Sequence, residues 1–307
     1  MTTRIFDAAQ TARLTPYASL VDALKLAAAD YAQGRIASPE RLVVPLNAGG
    51  VMLSMPATAP DLAIHKLVNV CPTNRARALP TIHGQVMASD ADTGETRFIL
   101  DGPTVTGRRT AAMTMLGIQT FLAAAPRDVL LIGAGTQSAN HLEALAELFP
   151  DALIRVRGSS AARTQAFCDA HRAAAPRAEP QQDTRVPDSV DLVITLTTSK
   201  TAVYDEAPRA DRLVIGVGVF TPDAVEIGAR TVLGSALFVD DLAGAKHEAG
   251  DYIQAGVDWN AVTPIASVLA AKTSLLARGT PVVFKTVGCA AWDLAACRVA
   301  RAALGDG

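Results

Sequence analysis

The sequence predicts an α/β protein in two parts: an α+β region ahead of Pro126 and a doubly wound parallel sheet after it. Three observations carry this. After Pro126, near-continuous apolar runs alternate with helical segments, as expected of strands covered on both faces. The first of these runs, Val129–Ile132, opens directly into Gly133-Ala-Gly135 and a helix. Ahead of Pro126 the alternation is absent, and short β-like runs with turn residues follow one amphipathic helix.

In chain order, apolar residues at helical spacing (Leu20, Ala23, Leu24, Leu26, Ala27, Ala28, Tyr31) predict a helix over Ser19–Gln33, stopped by Gly34. Strands are predicted over Arg41–Leu46, Val51–Met55, Ala63–Val70 and Ile82–Ser89, with turn chemistry in Asn47-Ala-Gly-Gly50 and Asp92-Thr-Gly94. Thr106–Ala125 reads as a helix closed by Pro126. The apolar runs Val129–Ile132, Leu153–Val156, Leu192–Leu196, Leu213–Val217, Leu237–Val239 and Val282–Phe284 then predict the parallel strands, and Cys289–Leu304 a last helix.

The composition narrows the function. Half of the 307 residues are hydrophobic and the net charge is -2, with no basic stripe, so nucleic acid is not expected as a partner. No apolar stretch reaches the ~18 residues of a membrane span, and the start lacks an apolar leader. The four cysteines (Cys71, Cys168, Cys289, Cys297) have neither paired nor C-x-x-C spacing and read as reduced thiols of a cytoplasmic protein. The scattered histidines predict no metal site.

Gly133-Ala-Gly135-Thr-Gln137-Ser138 is the centre of the functional reading. Gly133 permits a tight turn, Gly135 lets a pyrophosphate approach the backbone, and the helix from Gln137 offers unpaired N–H groups and its positive dipole end. Ser138 takes the place of a third small residue. This predicts a dinucleotide site and hydride chemistry. The next strand ends in Arg157-Gly-Ser159-Ser160, with Arg163 one turn on and no acid to accept from a ribose. Two cations and two hydroxyls suit a 2′-phosphate, so NADPH is expected over NADH.

Several segments together resemble the ornithine cyclodeaminase/mu-crystallin family, and within it the bacterial ketimine reductases. They are Arg41-Leu-Val-Val-Pro45, His65-Lys66-Leu-Val-Asn69, Pro72-Thr-Asn74, Leu79-Pro80-Thr81, Asp92-Thr-Gly94 and Thr106-Gly-Arg-Arg109-Thr110-Ala-Ala112. Gly133-Ala-Gly-Thr-Gln137, Thr197-Thr-Ser199 and Lys285-Thr-Val-Gly288 complete the set. The resemblance implies a Rossmann domain over 116–287, a substrate and dimerisation domain from 1–115 plus 288–307, and a homodimer. It implies that Arg41 binds a substrate carboxylate and that Lys66 lies at the reacting carbon and nitrogen. Thr81 and Arg109 would contact the cofactor, Thr136 and Gln137 the pyrophosphate, and Thr197, Val217, Thr286 and Val287 the nicotinamide.

The residue chemistry is compatible. A guanidinium binds a carboxylate bidentately, and a lysine that interrupts an apolar run (Leu62, Ala63, Ile64, then Leu67, Val68) is costly to bury without a task. His83 is a candidate second proton donor. The cyclodeaminases of the family carry Gly-Gly-Asp-x-Pro, whereas this chain has Gly216-Val-Gly218-Val-Phe220, with Phe220 in place of the aspartate that acts on the amino acid. Asp223 reads as a helix cap. A phenyl ring suits a cyclic substrate. The expected reaction is reduction of Δ1-pyrroline-2-carboxylate to L-proline or Δ1-piperideine-2-carboxylate to L-pipecolate. Ornithine cyclodeaminase, an alanine-type amino-acid dehydrogenase and a non-catalytic NADPH-dependent ligand-binding protein are the alternatives.

Overall fold

The computed structural model describes residues 3–271 and 279–305. The chain divides into two compact units, one formed by 1–109 with 289–307 and the other by 110–288.

The first unit holds β1 (Arg4–Ile5), α1 (Ala8–Leu14), α2 (Tyr17–Ala32), β2 (Leu42–Pro45), β3 (Val51–Ala59), β4 (Leu62–Val70), β5 (Ile82–Ser89) and β6 (Thr96–Asp101). Its sheet has the order β1-β6-β5-β4-β3-β2, parallel only at β1–β6. Asp7 and Gln10 close a reciprocal capping box that starts α1. The predicted amphipathic helix is α2, and Gly34 follows it with φ +70, as a helix stop requires. The turn residues Thr93-Gly94 join β5 to β6, a strand the sequence reading left out.

The helix α3 (Gly102–Phe121) carries the chain into the second unit. There follow β7 (Asp128–Ile132), α4 (Thr136–Leu148), β8 (Leu153–Arg157), α5 (Ala161–His171), β9 (Ala178–Pro180), β10 (Leu192–Thr195) and β11 (Leu213–Gly216). Next come α6 (Ala229–Leu233), β12 (Ala236–Val239), α7 (Leu242–Glu248), α8 (Gly250–Ala255), β13 (Val262–Pro264), α9 (Ile265–Ala270) and β14 (Val282–Lys285). All eight strands are parallel, in the order β13-β12-β14-β11-β10-β7-β8-β9. Succession runs one way from β7 to β9 and the other way from β10, so β7 and β10 flank the switch point where such sheets bind ligands. Their side chains are buried throughout, which is why these strands read as unbroken apolar runs. The short strands β9 and β13 carry no such pattern and were not predicted.

Finally α10 (Ala290–Ala303) returns the chain to the first unit and packs on α2, β3 and β4. Trp292 is fully buried and meets Tyr31 edge-on, ring centroids 5.8 Å apart. The far end of α10 is tied by ion pairs, Arg298 to Asp30 and Asp61, and Arg301 to Asp61. No helix among the described residues is long and apolar enough to cross a membrane.

Candidate functional site

In the first unit the site begins with the register of β4. Residues opposite each other in an antiparallel ladder project from the same face. Lys66 stands opposite Met55 of β3 and Val86 of β5, both buried, and is itself only 2% exposed. The β2–β3 ladder begins with Leu42 opposite Ser54, so one step beyond it Arg41 falls in line with Met55 and Lys66. Sheet geometry thus puts the two expected substrate residues on one face.

The partner that makes a buried lysine tolerable is Asp293, in the first turn of α10. Lys66 Nζ donates to both carboxylate oxygens at 3.1 Å, and Arg109 Nε donates to Oδ1 at 3.1 Å. Asp293 has no exposed side-chain surface. Burial pushes the Lys66 ammonium down from 10.5 to about 8; the Asp293 carboxylate opposes this, while the Arg109 and Arg41 charges add to it. Such a lysine holds its proton at neutrality yet releases it readily. With Arg41, Lys66 and Arg109 around one carboxylate, the cluster carries excess positive charge, which suits an anionic substrate. Sequence reasoning missed Asp293. Its signal was present, since an acid inside Ala290-Ala-Trp-Asp-Leu-Ala-Ala is as costly to bury as Lys66 is in its own run.

The structure corrects one expectation in this unit. His83 lies three residues from Val86 on β5, so its side chain leaves the opposite face of the sheet from Lys66. The same alternation turns His65 away, toward a 2.8 Å contact with Ser54. His83 is therefore not placed as a second donor beside Lys66 within the unit. Thr81 is exposed just ahead of β5, its carbonyl accepting from the Cys71 amide.

In the second unit, β7 ends in the glycine turn. Gly133 has φ +134, and a Cβ there would stand 2.5 Å from the Leu196 carbonyl oxygen, so only glycine fits. At Gly135 a Cβ would meet open space, leaving room for a ligand at the N-terminus of α4. Thr136 is exposed at the first position of that helix. Gln137 follows, its Oε1 buried without a hydrogen-bond partner among the described residues. Orphaned first-turn amides beside an unfilled cradle fit a pyrophosphate. Ser138 is fully buried, which explains why a small residue stands there. His141 is buried between Gln137 O and Thr114 Oγ1, and burial pushes it down to about 4, so it is a neutral packing residue.

Three further expectations are corrected here. The Arg157 guanidinium donates to the carbonyls of Thr184 and Val203 at 2.7 and 2.9 Å, so it braces loops instead of facing a ribose phosphate. Ser159 and Arg163 remain exposed, while Ser160 caps α5 by accepting from the Arg163 amide. Thr286 Oγ1 is committed to Asp240 Oδ2 at 2.7 Å, and the Val287 and Gly288 amides donate to the same carboxylate. Asp223 caps no helix; it pairs with Lys200 at 2.6 Å. Thr197 and Val217 follow the C-terminal ends of β10 and β11, and Phe220 is an exposed aromatic ring.

The model of the ornithine cyclodeaminase/mu-crystallin family matches residues 1–306. The chain belongs to this family. It is 64% identical over 300 residues to a Delta(1)-pyrroline-2-carboxylate/Delta(1)-piperideine-2-carboxylate reductase of Azospirillum brasilense, covering 98% of this chain and 96% of that protein. It is 63% identical, with the same coverage, to Delta(1)-pyrroline-2-carboxylate reductase 1 of Burkholderia multivorans. Among solved structures, the Thermococcus litoralis Delta(1)-pyrroline-2-carboxylate reductase with NADH and L-proline has a TM-score of 0.89 at 21% identity, over 99% of this chain and 98% of that one. An archaeal alanine dehydrogenase dimer with bound NAD has a TM-score of 0.88 at 22% identity, over 100% and 97%. These two establish a shared fold, and the members of the ornithine cyclodeaminase/mu-crystallin family at 63–64% identity are the reductases.

Proposed function

We propose that this chain is an NAD(P)H-dependent reductase of cyclic imino acids, converting Δ1-pyrroline-2-carboxylate to L-proline and Δ1-piperideine-2-carboxylate to L-pipecolate. The observation that carries it is the buried Lys66–Asp293–Arg109 cluster with Arg41 in line beside it. A pure binding protein has no use for a lysine tuned to about 8.

Arg41 takes the substrate carboxylate, since its planar fork makes two charge-assisted hydrogen bonds. Lys66 Nζ, aimed by the two oxygens of Asp293, gives its proton to the ring nitrogen, which makes the adjacent carbon more electrophilic. The reduced nicotinamide, when bound, supplies the hydride to that carbon. The Gly133–Gln137 turn and the start of α4 hold the pyrophosphate, and Ser159 with Arg163 reads the 2′-phosphate of NADPH, the preferred form. Phe220 gives an apolar wall to a ring and cannot hold an ammonium group, which sets the chain apart from ornithine cyclisation.

We also infer a homodimer. The open face of the first unit's sheet presents Leu42 (62% exposed) and Leu67 (39%) in one cross-strand line, an apolar surface that a second copy would cover. The four free cysteines fit a reducing cytoplasm.

The test is cofactor oxidation, followed by absorbance, with pyrroline-2-carboxylate, piperideine-2-carboxylate, and pyruvate plus ammonia side by side, and L-ornithine with NAD⁺ or NADP⁺. Rapid oxidation with the two cyclic imines alone is expected. Ready release of ammonia from ornithine would refute the Phe220 argument.

A further inference from the structure

Beyond the residues expected to touch ligands, the second unit buries a charged group that no step above uses. Glu226 is fully buried. Its Oε1 accepts from the Thr197 amide, just past β10, and its Oε2 accepts from the Gly218 and Val219 amides, just past β11, at 2.7 and 3.1 Å. One carboxylate therefore spans two strand-end loops. It is held from behind: the Glu226 and Ile227 amides both donate to Asp251 Oδ1, and Lys285 Nζ stands 2.9 Å from Asp251 Oδ2. That last contact is an ion pair off the line of a hydrogen bond, and both of its atoms have no other hydrogen-bond partner among the described residues. The loops approach so closely that a Cβ on Gly218 would stand 2.1 Å from the Thr197 carbonyl oxygen.

Three charged groups taken out of water in one place are expensive, and a well-packed apolar cluster would serve stability as well. What the carboxylate provides and an apolar group does not is simultaneous acceptance from amides of two loops. We propose that Glu226 is a positioning residue that fixes the spacing of the Thr197 and Val217–Val219 loops, and with it the seat of the nicotinamide. This rests on the reading above that Thr197 and Val217 border that ring. Outside, Lys200 and Asp223 join the same two loops by an exposed ion pair, which solvent weakens. The internal clamp is the dominant link.

The test uses the full chain and Glu226→Gln. A glutamine has the same size, but one of its ends is an NH₂ that cannot accept, so one loop loses its partner. Turnover of the cyclic imines should fall about tenfold to hundredfold, as expected for a misplaced reacting group. The dissociation constant for AMP, which probes the adenosine half alone, and KM for the imino acid should stay within about twofold. Hydrogen exchange at the Thr197, Gly218 and Val219 amides should accelerate, and Lys200→Ala should leave turnover nearly unchanged. A Glu226→Gln enzyme with wild-type turnover overturns the clamp, as does loss of AMP binding in step with turnover, which marks general damage. If Glu226→Gln does not fold, exchange in the wild type decides: the three amides should be protected and slowed further by NADPH, and unprotected amides overturn the proposal. A wild type inactive with both imines would sink the reading of the reaction, while amide exchange still judges the clamp.

Discussion

Asp293→Asn isolates the electrostatics of the lysine. Two unit charges 3.1 Å apart interact by about 5 kcal/mol at an effective dielectric of ~20. At ~1.4 kcal/mol per pKa unit this sets a ceiling of roughly four units. Asparagine keeps one carbonyl oxygen for Nζ, and water relaxes around the site, so a drop of about two units from about 8 is expected. The acid form of the lysine does the work. Activity of the wild type should therefore fall as pH rises through about 8, and that of the variant should fall about two units lower. The assay is kcat/KM for the cyclic imine across pH. Titration of the imine itself is common to both enzymes, so the difference between profiles belongs to the protein. Removing one partner of a buried pair costs about 3–5 kcal/mol, and here deprotonation of Lys66 offsets part of it. The variant's loss of thermal stability should accordingly shrink as pH rises from 6 to 9. Superimposable profiles, or a wild type with no basic limb near 8, would refute the reasoning.

Arg41→Ala should raise KM for the imino acid about tenfold to hundredfold with NADPH affinity unchanged, the scale of a bidentate charge-assisted contact. A KM within twofold would place the carboxylate elsewhere. Arg163→Ala should raise KM for NADPH about threefold to tenfold and leave NADH alone, since an exposed cation contributes modestly; parallel changes for both cofactors would show that this turn does not read the ribose. Leu67→Glu puts a charge in the middle of the open sheet face and should shift the protein from dimer to monomer in light scattering; an unchanged mass would mean that this face is not the interface.

The parts of the fold legible in the sequence were those whose signal is local. The glycine turn follows from three residues, and the parallel strands announce themselves because both of their faces are covered. Lys66 stood out as a charge in an apolar run. The same test applied to Asp293 would have found it, but an acid in the first turn of a helix also has an ordinary explanation, in the helix dipole. Arg157 was misread because a strand-end arginine gives no local sign of whether it faces ligand or the carbonyls of Thr184 and Val203, which lie 27 and 46 residues away. His83 failed on parity: the strand was predicted with the correct bounds, but the face of each residue depends on its register with β4. Glu226 sits in no recognisable motif, and its proposed role exists only because two strand-end loops converge on it.

The placement of Asp293 also imposes an order on biosynthesis. Arg109 and Lys66 leave the ribosome 184 and 227 residues ahead of the acid that neutralises them. Residues 110–288 form one contiguous unit with its own strands, helices and core, and every residue of that core precedes the last helix. The first unit cannot close in the same way, because sealing its sheet under apolar cover before α10 arrives would strand two cations without an anion. Nascent chains that have reached residue 288 should thus hold a finished second unit while the first unit is still open. Arrival of a single turn of helix, bearing Trp292 and Asp293, would then supply both the cover and the countercharge in one event.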